Sequence, residues 1–267
     1  MVSYDSFPTH LNDKHAGATV FVIGAGPQLA TLKPEQVQRL ESQPTIAVNK
    51  VFYRIRPWYF LSAYIGEVML AMHRIPDSTL LHMRPTYTPP LLPGIVSLQR
   101  NTFEPGMDLP RRLGVEQPAI FTRMNVALGA THFAYIMGAR QIVYLGVEQR
   151  DQLHFWHFDE VSRGVIREDL LSRGDPDILR IDHEYASLSH DLSSLDRPMA
   201  DCMKPFFSVD HTPTFAAYFD ILRRNEVDVI ATTAESVVAD AGARVVPLDD
   251  ILAECPITPR TIKQTYN

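Results

Sequence analysis

The residues with the clearest chemical potential form a short glycine-containing segment near the start of the chain. Residues 18–23 read ATVFVI, a buried-strand pattern, and Gly24, Ala25, Gly26, Pro27 and Gln28 follow directly. Glycine lets a backbone approach phosphate oxygens because no Cβ intervenes, and the N–H groups of the turn and the next helix can then face the anion. The segment predicts a phosphate-binding loop for a nucleotide; a structural tight turn is the alternative.

The spacing of the glycines separates this loop from two widespread phosphate motifs. Position 29 is Leu, so the G-x-G-x-x-G dinucleotide pattern is not completed, and Asn49 rather than an acidic residue ends the second apolar run. No Gly-Lys-Ser/Thr follows, as a P-loop requires. The pattern argues against an NAD-dependent dehydrogenase and leaves the nucleotide open.

Aromatic and histidine residues follow another apolar run, residues 141–145. Glu148 comes first, and His154, Trp156 and His157 lie close behind it. Aromatic rings can stack on a base or sugar and imidazoles can contact phosphate, so we expect contacts to the donor or acceptor, with a packed aromatic loop as the alternative. His154, His157 and Asp159 could together supply three metal ligands, but the H-E-x-x-H pattern of many zinc sites is missing. No metal site is therefore predicted.

Further polar residues stand where other predicted elements begin or end. Asn49 ends the second strand, Asn125 opens a helix, and Ser236 follows a late strand. Each could contact the donor nucleotide, and each also suits an ordinary turn or helix cap. Lys50, Arg54 and Arg56 could balance donor phosphates or belong to a solvated basic face.

The elements that would position these residues alternate between strand and helix patterns. Strands are predicted at residues 18–23, 45–49, 58–62, 141–145 and 227–231, and helices at about 34–43, 122–137 and 213–224. Residues 245–248 and a short helix over 249–253 close the series. This alternation predicts an α/β fold: a single Rossmann-like domain with a mainly parallel sheet and helices on both faces.

The remaining segments complete the predicted organisation. Residues 1–17 read as a polar N-terminal arm, 18–255 as the nucleotide-binding domain and 256–267 as a C-terminal tail. Within the domain, proline-rich residues 79–112 predict weak edge strands and loops. Residues 147–205 predict a lid-like insertion with helical pieces around 160–172 and 183–195.

Composition narrows the classes of partner and compartment. The formal net charge of −6 disfavours a large nucleic-acid footprint, although a modified nucleic acid as acceptor stays open. Cys202 and Cys255 show no metal or disulfide spacing, no apolar run spans a membrane, and residues 1–17 lack a signal-peptide pattern. We therefore expect a cytoplasmic protein without a membrane span; its oligomeric state, including a homo-oligomer, stays open.

Three segments together resemble the bacterial sialyltransferase-like superfamily, which includes archaeal-type hydroxymethylpterin pyrophosphokinases. They are FVIGAGPQL with the later AVNKVFYRIRPWYFLS, then NVALGATHFAYIMGARQIVYLGVE, and finally FFSVDHTPTFAAYFDILRRNEVDVIATTAES. The segments cover roughly half the chain in the order and spacing of that superfamily. The resemblance implies a Rossmann-like fold and transfer from an activated nucleotide donor without an obligatory metal.

The resemblance also implies roles for individual residues. Gly24 and Gly26 match the phosphate loop, Asn49 matches a donor-binding asparagine, and Ser236 falls near the nucleotide base. His211, next to Asp210, matches the histidine that acts as general base. The chain departs from the pattern because Ala25 and Gln28 replace polar loop residues (Asn and Ser) and Glu148 replaces the usual Asp, which leaves the donor sugar open.

Three functions follow as hypotheses. The favoured one is a nucleotide-sugar-dependent glycosyltransferase that uses a CMP- or UDP-linked donor, a hydroxyl acceptor and no required cofactor, with His211 and Asp210 as the catalytic pair. The first alternative is an Mg²⁺-dependent pyrophosphokinase that uses ATP and a hydroxymethyl acceptor, with Glu148, Asp151 and Asp159 as candidate ligands. The second alternative is a non-catalytic nucleotide-binding protein.

Overall fold

In the residues that the structure describes, one sheet of nine parallel strands forms the framework of the fold. The computed structural model describes residues 8–85, 94–114, 118–123, 125–149, 154–173 and 210–257. The strands are β1 (Thr19–Ile23), β2 (Thr45–Val48), β3 (Tyr59–Ser62), β4 (Thr79–Arg84), β5 (Ile95–Thr102), β6 (Ala119–Thr122), β7 (Gln141–Leu145), β8 (Asp228–Ala231) and β9 (Arg244–Val245). Every neighbouring pair is parallel, in agreement with the predicted fold class.

Seven α-helices in the described ranges cover both faces of this sheet. They are α1 (Pro34–Glu41), α2 (Ile65–Arg74), α3 (Val126–Ile136), α4 (Glu160–Arg173), α5 (Thr212–Arg224), α6 (Val237–Asp240) and α7 (Leu248–Glu254). Alternate residues of β1 divide the core: Val20 and Val22 join the cluster under α3, α5 and α6, whereas Phe21 and Ile23 join the cluster under α1, α2, α4 and α7. The prediction of helices on both faces is confirmed.

The strand order contains one reversal, and it defines where a ligand can bind. The order β6-β5-β4-β3-β2-β1-β7-β8-β9 shows that the chain builds outward from β1 in one direction and then returns to add β7 on its other side. The loops after β1 and β7 therefore leave the carboxyl ends of two strands that are neighbours in the sheet but far apart in the chain. Open α/β sheets bind ligands in the crevice outside the carboxyl ends of such neighbouring strands.

The structure corrects the prediction for the proline-rich stretch. β4 and β5 are six and eight residues long and lie inside the sheet, each between two other strands, so the prediction of weak edge strands is wrong. β6 forms the edge on this side of the sheet, and neither β6 nor α2 had been predicted. Prolines lie between β4 and β5 rather than within them. They make the sequence of this stretch resemble a loop, but they do not prevent the two strands from pairing.

The long helix after β6 is shorter than its pattern suggests. Thr122 is the last residue of β6, and the helix begins at Val126 with Asn125 as its N-cap. Gly138 follows the helix end with φ of +81°, a conformation in which a side chain would be strained, as expected for a glycine that ends a helix. Gly129 faces the sheet, where an added Cβ would come within 2.9 Å of Met83 Sδ.

The described part of the predicted N-terminal arm packs against the rest of the domain. Leu11 is fully buried, and the Asn12 side chain accepts a hydrogen bond of 2.9 Å from the Leu113 backbone. Residues 8–17 of the predicted arm therefore lie against the domain. In the part of the chain that the structure describes, no helix is both long and apolar enough to cross a membrane.

Candidate functional site

The loops after β1 and β7 meet at the strand-order reversal, and they are in backbone contact. The Gly24 N–H donates to Leu145 O at 2.9 Å and the Gly26 N–H donates to Gly146 O at 2.8 Å. A Cβ on Gly24 would lie 2.4 Å from Gly146 O, so glycine at this position permits the approach of the second loop. The close approach gives both glycines a structural role, and phosphate binding by them stays a prediction.

Glu148 occupies the position where an anion would meet the glycine loop. Its Oε1 accepts a hydrogen bond of 3.1 Å from the Gln28 N–H. A Cβ added to Gly26 would lie only 1.6 Å from Glu148 Oε2, so the carboxylate occupies the space that a side chain at position 26 would need. Oε2 is buried without a hydrogen-bond partner in the described residues. Burial raises the pKa of Glu148, and hydrogen bonds from the Gln28 and Glu148 backbones offset this only in part.

Gln28 joins the ends of three strands. Its Oε1 accepts hydrogen bonds from Thr232 Oγ1 at 2.8 Å and from the Gly146 N–H at 3.4 Å, and its Nε2 donates to Thr232 O at 3.4 Å. Thr232 follows β8, and its Oγ1 also lies 2.9 Å from Tyr144 O, so its one hydroxyl proton is within reach of both acceptors. The Gln28 side chain is therefore occupied in linking the ends of β1, β7 and β8.

Two predicted donor-binding residues are helix caps at the same edge. Asn125 Oδ1 accepts from the Ala127 N–H at 2.9 Å, while its Nδ2 donates to Gln149 Oε1 at 2.9 Å. Ser236 Oγ accepts from the Ala239 N–H at 3.1 Å, and the neighbouring Val237 N–H donates to Glu148 O at 3.0 Å. The structure thus brings Asn125 and Ser236 to either side of residues 148–149, with capping as a demonstrated role for each.

Asn49 leaves the sheet next to the glycine loop in a left-handed conformation. β1 and β2 are paired as far as Ile23 and Ala47, and Asn49 has φ of +57°. The next residue, Lys50, is 1% exposed, and its Nζ lies 3.4 Å from Glu67 Oε1. A non-glycine residue at positive φ often marks a functional position. Lys50 therefore forms a buried ion pair with Glu67 and does not belong to a solvent-exposed basic face.

The aromatic segment lies directly on the glycine loop. The Phe155 N–H donates to Ala25 O at 2.9 Å, which seats the 3-10 helix Phe155–His157 against the 3-10 helix Pro27–Thr31. Trp156 is 1% exposed and belongs to the core, so the structure gives it a packing role and no face for a ligand. His154 is half-buried and stacks on Trp156 with ring centroids 4.2 Å apart. The His157 side chain and Asp151 lie outside the described residues.

His211 precedes α5 at the same edge of the sheet. Its ring is half-buried, and Nδ1 has no hydrogen-bond partner among the described residues. Burial lowers the pKa of His211, and the charge of Arg123 lowers it further, against an opposing effect of Asp210. Asp210 is exposed and its Oδ1 accepts from the Thr212 N–H at 2.9 Å, so its carboxylate caps α5. The sequence neighbours do not form an acid–imidazole pair.

Three residues of this edge had not been predicted as site residues. Gln149 bonds to Asn125 and has φ of +52°, Thr232 bonds to Gln28, and Arg123 lies close enough to His211 to shift its pKa. Their positions after β7, β8 and β6 were the available signal, because carboxyl ends of parallel strands share one edge.

Asp159 caps α4 by accepting hydrogen bonds from the Val161 and Ser162 N–H groups. No group of three metal-ligating side chains occurs in the described ranges.

The site therefore consists of a tightly closed pair of loops at the strand-order reversal, lined by amide, hydroxyl and imidazole groups and by the half-buried carboxylate of Glu148. Most predicted site residues converge there, although several have structural hydrogen bonds of their own. Comparison of the chain with protein-family models gives no match, and comparison with curated proteins gives none either.

Proposed function

We propose that the chain is a transferase that binds a nucleotide at the crevice between β1 and β7, and that the group it transfers is a sugar. The observation that carries the proposal is convergence. Residues predicted separately along the sequence, Gly26, Asn125, Glu148 and Ser236, surround one strand-order reversal. A crevice at that point of an open parallel sheet is the usual nucleotide site of such folds.

His211 supplies the proposed general base. Its lowered pKa keeps the imidazole neutral near neutral pH, and Nδ1 has no structural hydrogen bond within the described residues. The acceptor hydroxyl transfers its proton to the imidazole while its oxygen bonds to the anomeric carbon. The bond from that carbon to the donor phosphate breaks, and the nucleotide leaves with both bonding electrons.

Glu148 sets a condition on nucleotide binding. An ionised carboxylate at the Gln28 N–H would repel a phosphate that approaches the same groups. Binding therefore requires Glu148 to take up a proton or to turn away from the loop. Both routes predict that a neutral side chain at this position strengthens nucleotide binding.

A thermal-shift panel tests the nucleotide. We expect CMP or UDP to raise the melting temperature without Mg²⁺, because a ligand that binds only the folded state stabilises it. Glu148→Gln is expected to increase the shift, and Glu235→Gln, on an exposed carboxylate near the same edge, to leave it unchanged. A shift that requires ATP and Mg²⁺ together would replace sugar transfer with pyrophosphate transfer.

A second experiment separates binding from chemistry. His211→Asn is expected to abolish turnover of the nucleotide sugar while leaving nucleotide affinity unchanged, and His10→Asn, on an exposed histidine, to alter neither. Turnover that survives His211→Asn would remove the general-base role. Nucleotide affinity without turnover of any donor in the wild-type protein would favour a non-catalytic binding protein.

A further inference from the structure

A cavity lies away from the crevice, and its walls are rich in arginine. It has a volume of about 510 Å³ and is bordered by the segment after β2, the last turn of α2 and the last turn of α4. Its cationic lining is Arg54, Arg56, Arg74 and Arg173, with His73 beside them. None of residues 24–28, 146–149, 211 or 236 lines it, so this cavity is distinct from the proposed nucleotide site.

The charges in the cavity do not cancel. Four arginines face two carboxylates, Glu41 and Asp169, which leaves an excess of two positive charges before His73 is counted. Asp169 is fully engaged: Oδ2 accepts from Tyr53 Oη at 2.7 Å and from Arg74 Nε at 3.0 Å, and Oδ1 lies 3.5 Å from Arg173 Nε. Glu41 Oε1 accepts from the Arg56 backbone N–H at 2.9 Å.

Structural roles account for three of the arginines and leave one unexplained. Arg74 and Arg173 stand in the last turns of their helices and share Asp169, an arrangement that also offsets the negative helix ends. Arg54 donates to Leu29 O and Leu32 O and so anchors the segment after the glycine loop. The Arg56 guanidinium is exposed, and within the described ranges no acceptor lies in hydrogen-bonding distance of it.

The cavity also offers a surface for the uncharged part of a ligand. Tyr53 lies in its wall, with the Arg74 guanidinium 4.8 Å from the ring centroid, and Phe52 lies beside it at 4.7 Å between ring centroids. Cavities of this volume hold small organic molecules, and arginine forks bind phosphate through paired N–H donors. We propose that this cavity binds a small phosphate-bearing molecule, with Arg56 as the principal contact to the phosphate. The proposal does not depend on the function proposed for the crevice.

Calorimetric titration of the full chain with pyrophosphate tests this site, with citrate as a carboxylate probe of similar charge. We expect pyrophosphate to bind more tightly than citrate. Arg56→Gln should weaken pyrophosphate binding roughly ten-fold, the loss of one charge-assisted hydrogen bond, and Arg56→Glu should abolish it. Because Arg56 is exposed, both variants are expected to fold, and their thermal unfolding provides the check.

Arg123→Glu is the matched control, because Arg123 is also exposed but lies at the crevice next to His211. The proposal requires this variant to retain the pyrophosphate binding that Arg56→Glu removes, whatever its effect on binding at the crevice. Loss of binding in Arg123→Glu with retention in Arg56→Glu would place the probe in the crevice and overturn the proposal. Absence of binding to the wild-type protein, or tighter binding of citrate, would overturn it as well.

Discussion

Glu148 combines features that usually exclude each other: it is charged in water, largely buried here, and one of its oxygens has no hydrogen-bond partner in the described residues. A buried carboxylate in this state costs free energy when ionised. The same position faces the loop where a phosphate is expected. Glu148 therefore links the stability of the protein to the occupancy of its proposed nucleotide site.

Glu148→Gln is expected to stabilise the protein near neutral pH by about 1 kcal/mol, because the amide keeps the bond from the Gln28 N–H and removes the buried charge. The pKa of Glu148 in the folded state is raised above its ordinary value of 4.5. The wild-type carboxylate therefore destabilises the protein increasingly as pH rises from 4.5 through the folded-state pKa. The advantage of the variant should therefore disappear at pH below about 4. Urea unfolding at several pH values measures it; an advantage that is independent of pH would contradict the assignment.

His211 gives a second residue-scale prediction. If a neutral imidazole is the base, transfer activity falls as pH decreases through its pKa, and the lowered pKa places that acid limb below 6.5. Arg123→Gln removes a positive charge that lowers this pKa, so the limb should move to higher pH. Arg224→Gln, on an exposed arginine of α5, should leave the profile in place. A pH–rate profile that is identical in all three proteins would contradict the role of Arg123.

At the scale of elements, the contact between the loops after β1 and β7 determines what the glycines tolerate. Gly26→Ala would place its Cβ 2.7 Å from Gly146 O and even closer to the Glu148 carboxylate, so the loops must separate. We expect a loss of about 2 kcal/mol in unfolding free energy. Gly66→Ala, in α2 with open space around it, should be neutral or stabilising by up to about 1 kcal/mol.

Thermal or urea unfolding of the two variants gives this comparison directly. Equal effects of Gly26→Ala and Gly66→Ala would mean that the loops are not in contact in solution. The double variant Gly26→Ala with Glu148→Ala should recover part of the loss, since the carboxylate can be removed but the Gly146 carbonyl cannot.

The sequence predicted those strands and helices correctly whose local residue pattern matches their place in the fold. β1, β2, β7 and β8 are continuous apolar runs because both faces of the sheet are covered, and α1 and α5 begin at or next to prolines. β5 was underestimated because its second half, residues 99–102, is polar and lies near the sheet edge. The glycine loop was located correctly, but its contact with Gly146 and the insertion of Glu148 depend on residues about 120 positions apart.

At the scale of the whole molecule, the position of each strand predicts its local stability. β1 and β7 lie inside the sheet with nearly all of their residues buried, whereas β9 consists of two exposed residues at one edge. Backbone amides in the centre of such a sheet exchange only on global unfolding, and those at its edge exchange by local opening. Hydrogen exchange should be slowest in β1 and β7 and fastest in β9. Rapid exchange in β1 would contradict the strand order.

The strand order also has a consequence for synthesis on the ribosome. During synthesis β1 leaves the ribosome well before its partner β7, which follows 122 residues later, as the pairing of Thr19 with Gln141 shows. One edge of β1 therefore stays open until β7 has been made, and contacts between residues this far apart in sequence form slowly. Truncated nascent chains that end before residue 141 should associate with chaperones more strongly than longer ones.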